Sequence, residues 1–90
     1  MSSPQNPNTI SVKVIGQEGD SATVEVNIHQ KLHHLLEVGL KALYNPPPSA
    51  NEYELVFNGI ALSDLEKTIE QAGIHNGNRV TIQPKDVSRG

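Results

Sequence analysis

Four histidines and no cysteine bound the chemistry that this chain could perform by itself. His29 and His33 stand four residues apart, the spacing at which two imidazoles on one helical face can share a metal ion. His29 precedes the helical pattern, His34 points elsewhere, and no Asp, Glu or Cys supplies an obvious further ligand. Solvated or helix-end histidines are therefore expected, with no metal site. His75 falls in a loop with neither a base nor a nucleophile beside it. The absence of Cys removes disulfides, thiolate catalysis and Cys-ligated zinc together. No paired carboxylates, nucleophile with base, or phosphate loop stands out, so the expectation is a protein that is not an enzyme and holds no cofactor of its own.

The 90 residues fit one domain. The opening MSSPQNPNT is rich in Pro, Asn and Ser and is expected to stay outside the core. The roughly 75 residues that remain can bury only about 60% of their unfolded surface, which suffices for one core but hardly for an enclosed active site as well. Function is therefore expected on the surface. The net charge of −3, with Lys and Arg dispersed among acidic residues, offers no basic face to a phosphate backbone. Only Tyr44, Tyr53 and Phe57 could stack on bases, so nucleic acid is not an expected partner. No apolar run approaches the roughly 20 residues of a membrane span, and the N-terminus lacks the charged and apolar parts of a signal peptide. These features predict a cytoplasmic monomer with no membrane association.

The elements follow from the periodicity. Ile10, Val12 and Val14 alternate with Ser11 and Lys13, which predicts a half-buried strand from Thr9 to Ile15. After the Gly-rich connection Gly16 to Asp20, the residues Ala22, Val24, Val26 and Ile28 alternate with Thr23, Glu25 and Asn27 and complete a hairpin. Between Lys31 and Tyr44 the period becomes helical, with Leu32, Leu35, Leu36, Gly39, Leu40 and Leu43 on one stripe. Gly39 costs about 1 kcal/mol relative to Ala inside a helix, and close approach to a strand is the expected compensation. Pro46, Pro47 and Pro48 end the helix because none of them donates a backbone N–H. Tyr53 to Phe57 reads as a strand, Asn58-Gly59 as a tight hairpin turn, and Ile60 to Leu62 as a short return strand. Thr68 and Gln71 fit a capping box for a one-turn helix ending at Gly73, with Ser63 and Glu66 as a competing cap. Arg79 to Gln83 is the last strand, and Pro84 stops its pairing before the polar KDVSRG. If one sheet is to cover one helix, the first and last strands must pair in parallel, which predicts an α+β fold of the β-grasp type. The expected organisation is a disordered tail over 1–8, a domain over 9–83, and a flexible tail over 84–90.

The stretch from Thr68 to Val80, TIEQAGIHNGNRV, resembles the segment of ubiquitin that leads from its short helix into its last strand. LVFNG from Leu55 to Gly59, with Leu62, resembles ubiquitin's third strand and following turn, and the prolines after the helix match a proline pair there. Leu32 with His33, the helix, the Pro-rich loop and Tyr53 to Leu55 are also similar to bacterial ubiquitin-like proteins, including the multiubiquitin type. The resemblance covers about Thr9 to Gln83. It departs from ubiquitin in a longer first hairpin loop and in one Gly, rather than two, after Val87, Ser88 and Arg89.

What the resemblance implies is a protein modifier. An activating enzyme that uses ATP would join the Gly90 carboxylate to AMP, then pass the acyl group to an enzyme nucleophile and finally to a target amine. Arg89, with Ser88 and Lys85, would be recognised by the activating enzyme, since a guanidinium offers a planar, permanently charged handle. The implied partners are activating and conjugating enzymes, a processing peptidase and target proteins. Ubiquitin is read through an aliphatic patch on its sheet, and strand-by-strand matching places Ile15, Val56, Thr81 and Gln83 at that patch. Two of the four are polar, so a smaller patch is expected. Lys13, Lys31, Lys41, Lys67 and Lys85 are candidate acceptors for chain growth. The alternatives are a noncovalent ubiquitin-like adaptor, for which the tail matters little, and a sulfur carrier, against which the lone Gly90 counts.

Overall fold

The computed structural model describes residues 8–85. The chain forms β1 (Thr9–Ile15), β2 (Ser21–Asn27), helix α1 (Leu32–Leu43), a 3-10 turn (Ala50–Glu52), β3 (Tyr53–Phe57), β4 (Ile60–Leu62) and β5 (Arg79–Pro84). One five-stranded sheet has the order β2-β1-β5-β3-β4. β1 and β5 run parallel, with Val14 opposite Val80, and every other pairing is antiparallel. The last strand thus lies inside the sheet. The arrangement is a ubiquitin-like β-grasp, a mixed sheet packed on one helix.

Alternation puts Val12, Val14, Val26, Leu55, Val80 and Ile82 on the inner face, where they meet Leu32, Leu35, Leu36 and Leu40 of α1 and are closed over by Ile69 and Ile74. Among the described residues no polar side chain is fully buried, so packing is not burdened by unmet hydrogen bonds. Gly39 fulfils its expected role. A Cβ placed there would come within 2.6 Å of Ile82 Cδ1 and 3.2 Å of Val14 Cγ1, so the helix lies too close to the sheet for a side chain.

The start of α1 has no side-chain cap on Lys31. The Leu32 and His33 amides instead donate to the carbonyls of Lys67 and Leu65, and Ile69 and Glu70 donate back to Gln30 and Ile28. The connection between β4 and β5 thereby serves as the cap that the helix sequence lacks. Within it, Thr68 N–H donates to Gln71 Oε1 and Gln71 N–H to Thr68 Oγ1, each at 3.0 Å, the reciprocal box expected from the sequence. The one-turn helix expected there is a hydrogen-bonded turn instead. Only Ala72 N–H reaches four residues back, to Thr68, before Gly73 turns the chain away at φ +83°. The Ser63–Glu66 alternative does not form, because the Glu66 amide donates to Asp64 Oδ1.

The Asn58-Gly59 turn has positive φ at both residues, 55° and 79°, as its sequence demands. Asn8, expected in the N-terminal tail, accepts the Ile28 N–H. At the other end Pro84 pairs opposite Tyr53, and the Lys85 amide donates to Glu52. Proline lacks only a donor, and the next residue supplies one.

Candidate functional site on the outer sheet face

The outer face of the sheet is built from the residues that alternate with the core. Ile15 is registered opposite Thr81, Thr81 opposite Val56, and Val56 opposite Ala61, so four adjacent strands contribute one continuous row. Three of the four residues matched to the ubiquitin patch, Ile15, Thr81 and Val56, meet in that row. Each is half-buried, and Ala61 is exposed. Gln83 lies one pleat further along β5, where its side-chain amide donates to Glu54 Oε2 at 2.7 Å. A second glutamine fixes the rim. Gln17, in the first hairpin loop, donates its side-chain amide to the Ile82 carbonyl at 3.0 Å, which extends the β1–β5 ladder through a side chain.

Two further features of this surface become visible only with the strand register. Ala61 completes the row through its pairing with Val56, and Lys13 stands directly opposite Arg79 on the parallel pair. Neither is predictable from a single strand's alternation, because parallel register depends on where two distant segments begin to pair. Ile60, on edge strand β4, is the exposed large hydrophobic residue of the described chain, with 65% of its surface accessible.

The remaining candidates are dispersed. His29 Nδ1 lies 3.8 Å from Glu70 Oε1 and His33 Nδ1 lies 3.6 Å from Glu37 Oε2, so the two imidazoles face different carboxylates. Among the described residues no group of three His, Asp or Glu side chains is arranged to hold a metal ion. All five candidate acceptor lysines are exposed. Lys31 Nζ meets Glu66 Oε1 at 2.7 Å, and this hydrogen bond, reinforced by the opposite charge, raises the lysine above its ordinary pKa. A groove of about 280 Å³ lies between β4 and the Thr68 turn, and a second of about 180 Å³ lies beside the prolines. Both fall short of the roughly 300–1,000 Å³ typical of small-molecule sites. Lys85 ends the described chain, and Ser88, Arg89 and Gly90 lie outside the described residues.

Residues 5–83 match the model of a family described as a protein of unknown function, DUF2604. The chain belongs to that family. No curated protein matches its sequence. Among solved structures it is similar to the ubiquitin-like domain of the Arabidopsis thaliana protein At2g32350, with 21% identity over 100% of this chain and 92% of that one and a TM-score of 0.74. It is similar to the ubiquitin-like domain of Plasmodium falciparum Dsk2, at 18% identity over 86% and 99% of the two chains and a TM-score of 0.73. It is also similar to the ubiquitin of Caldiarchaeum subterraneum, at 18% identity over 90% and 99% and a TM-score of 0.71. At these identities the likeness establishes the ubiquitin-like fold. No helix among the described residues is long and apolar enough to cross a membrane.

Proposed function

We propose that the chain is a ubiquitin-like protein modifier of the cytoplasm, activated at Gly90 and conjugated to target amines. The observation that supports this reading is the place of β5 in the middle of the sheet, parallel to β1 and antiparallel to β3, with the Lys85 amide still bonded to Glu52 at its end. The chemistry belongs to the partner enzyme. The Gly90 carboxylate attacks the α-phosphate of ATP and releases pyrophosphate. An enzyme nucleophile then displaces AMP, and a target amine displaces that nucleophile to form an amide. Arg89, Ser88 and Lys85 are the residues offered to the activating enzyme. The test is to incubate the full chain with ATP and the activating and conjugating enzymes encoded beside its gene, and to follow intact mass. An adenylate or enzyme adduct that disappears on deletion of Gly90 supports the proposal, and an unchanged yield without Gly90 refutes it.

A second reading, a noncovalent ubiquitin-like adaptor, is favoured by the row Ile15–Thr81–Val56–Ala61, which offers a partner an apolar strip within reach of polar groups. Under that reading removal of residues 86–90 leaves partner binding intact.

A further inference from the structure

The sheet has two free edges, β2 and β4, and they are guarded differently. An edge strand invites pairing with another chain unless charge, proline or brevity discourages it. β2 carries the exposed Glu25, whereas Ile60, Ala61 and Leu62 of β4 include neither a charge nor a proline. In a two-residue hairpin the closing pair, Phe57 and Ile60, exchanges both ladder bonds, and the next pair, Val56 and Ala61, exchanges none. The Ala61 N–H and C=O therefore point away from β3, and no loop or turn among the described residues takes them up. Leu62 pairs with the buried Leu55, so Ile60 and Leu62 share the inner side of the sheet, where they line the groove of about 280 Å³ with Leu32 and Ala72. Asp64 and Lys67 line the same groove, both exposed, and no ion pair among the described residues engages either.

We propose that this edge pairs with a second copy of the chain, β4 against β4 in antiparallel, about a two-fold axis at Ala61. One register satisfies the backbone and the side chains together. Ala61 faces Ala61 of the second copy, and the two exchange both N–H···O=C bonds. Ile60, with 65% of its surface accessible in the single chain, then stands opposite Leu62 of the second copy, with Cβ atoms about 4.5–5.5 Å apart, and closes over that copy's groove. A projecting side chain and its groove on one edge are what a two-fold contact requires, because each copy presents the same surface. Antiparallel pairing keeps both α1 helices on the same side of the joined sheet, so the two grooves face each other. Asp64 and Lys67 of one copy thereby meet Lys67 and Asp64 of the other, opposite charges in both places. Three residues a side make a small interface, so a dissociation constant of about 0.1–1 mM is expected. This dimer departs from the monomer expected from the sequence, and neither the modifier nor the adaptor reading depends on it.

The experiment follows amide spectra and the rotational correlation time of the ¹⁵N-labelled full chain from about 20 μM to about 2 mM. Concentration-dependent shifts are expected at Ile60, Ala61, Leu62, Asp64 and Lys67, with a correlation time that rises to that of a dimer. In a mixture of ¹³C-labelled and unlabelled copies, intermolecular NOEs are expected between the methyl groups of Ile60 and Leu62. Ile60→Ser is expected to weaken association about tenfold, and Lys67→Glu about threefold through its two exposed charge contacts, each with the amide spectrum of β1, β2 and β5 unchanged. A chain that stays monomeric at about 2 mM overturns the proposal. Association whose shifts fall on β2 or on the row Ile15–Thr81–Val56 also overturns it, as does an Ile60→Ser dimer as tight as the parent. A correlation time that climbs beyond the dimer value would reveal open-ended assembly and contradict the two-fold contact.

Discussion

Replacing Gly39 by Ala sets two opposed effects against each other, and the structure decides which prevails. Ala is favoured over Gly in a helix by about 1 kcal/mol, partly through the entropy of the unfolded chain. Against this, the new methyl would stand 2.6 Å from Ile82 Cδ1 and 3.2 Å from Val14 Cγ1, where carbon atoms prefer about 3.5–4.0 Å. The Ile82 methyl must therefore retreat by about 1 Å. Ile82 and Val14 are both fully buried, so the Ile82 Cδ1 end can swing aside only against other core side chains, and overpacking of this kind costs about 1–3 kcal/mol. The net expectation is a loss of about 1 kcal/mol, read as a lower urea midpoint at unchanged slope and a melting temperature about 4–8 °C lower. A second substitution isolates the cause. Ile82→Val removes the clashing methyl and by itself costs about 0.5–1.5 kcal/mol, but in the Gly39→Ala background it is expected to cost nothing or to restore stability. Strict additivity of the two changes, or a Gly39→Ala protein more stable than the parent, refutes the close approach of helix to sheet.

The other predictions concern positions where a single bond or angle carries the effect. Thr68→Ala removes the acceptor of the Gln71 amide and is expected to lower stability by about 1 kcal/mol in chemical denaturation, while Thr68→Ser retains most of it. Gly59→Val forces a β-branched residue to φ +79° in an open turn, so a loss of about 1–2 kcal/mol in thermal unfolding is expected without any steric contact to blame. Lys31, raised by the Glu66 hydrogen bond and charge, contributes stability that is fully present below the lysine's unfolded pKa and is lost as pH rises through its higher folded value. Glu66→Gln is expected to bring the Lys31 titration, followed by NMR at Nζ, back toward its ordinary position. An unmoved titration would show that the 2.7 Å contact does not persist in solution.

Features governed by local geometry were legible in the sequence. Alternation located β1 and β2, a short apolar and β-branched run located β3, the three-and-four spacing located α1, and Asn58-Gly59 announced a turn with two positive φ angles. The Thr68–Gln71 box was equally local, although the helix it suggested did not follow, because a box satisfies two amides without requiring a second i→i−4 bond. The 3-10 turn at Ala50–Glu52 went unforeseen even though Ser49, whose Oγ accepts the Asn51 amide at 3.3 Å, was a readable signal. What the sequence could not display was anything set by pairing between distant segments. The meeting of Ile15, Thr81 and Val56 needed the resemblance to ubiquitin to be anticipated. The juxtaposition of Lys13 and Arg79 needed the parallel register itself, since their own neighbours in the chain give no hint of it.

Both functional readings rest on β5 lying between β1 and β3 with Thr81 beside Ile15 and Val56. Interstrand NOEs on the uniformly labelled protein measure this directly. Contacts linking the Lys13–Ile15 and Arg79–Thr81 segments in parallel register, together with antiparallel contacts between Val56 and Thr81, are the expected result. A β5 that pairs antiparallel to β1, or in a register that turns Thr81 toward α1, would contradict the account.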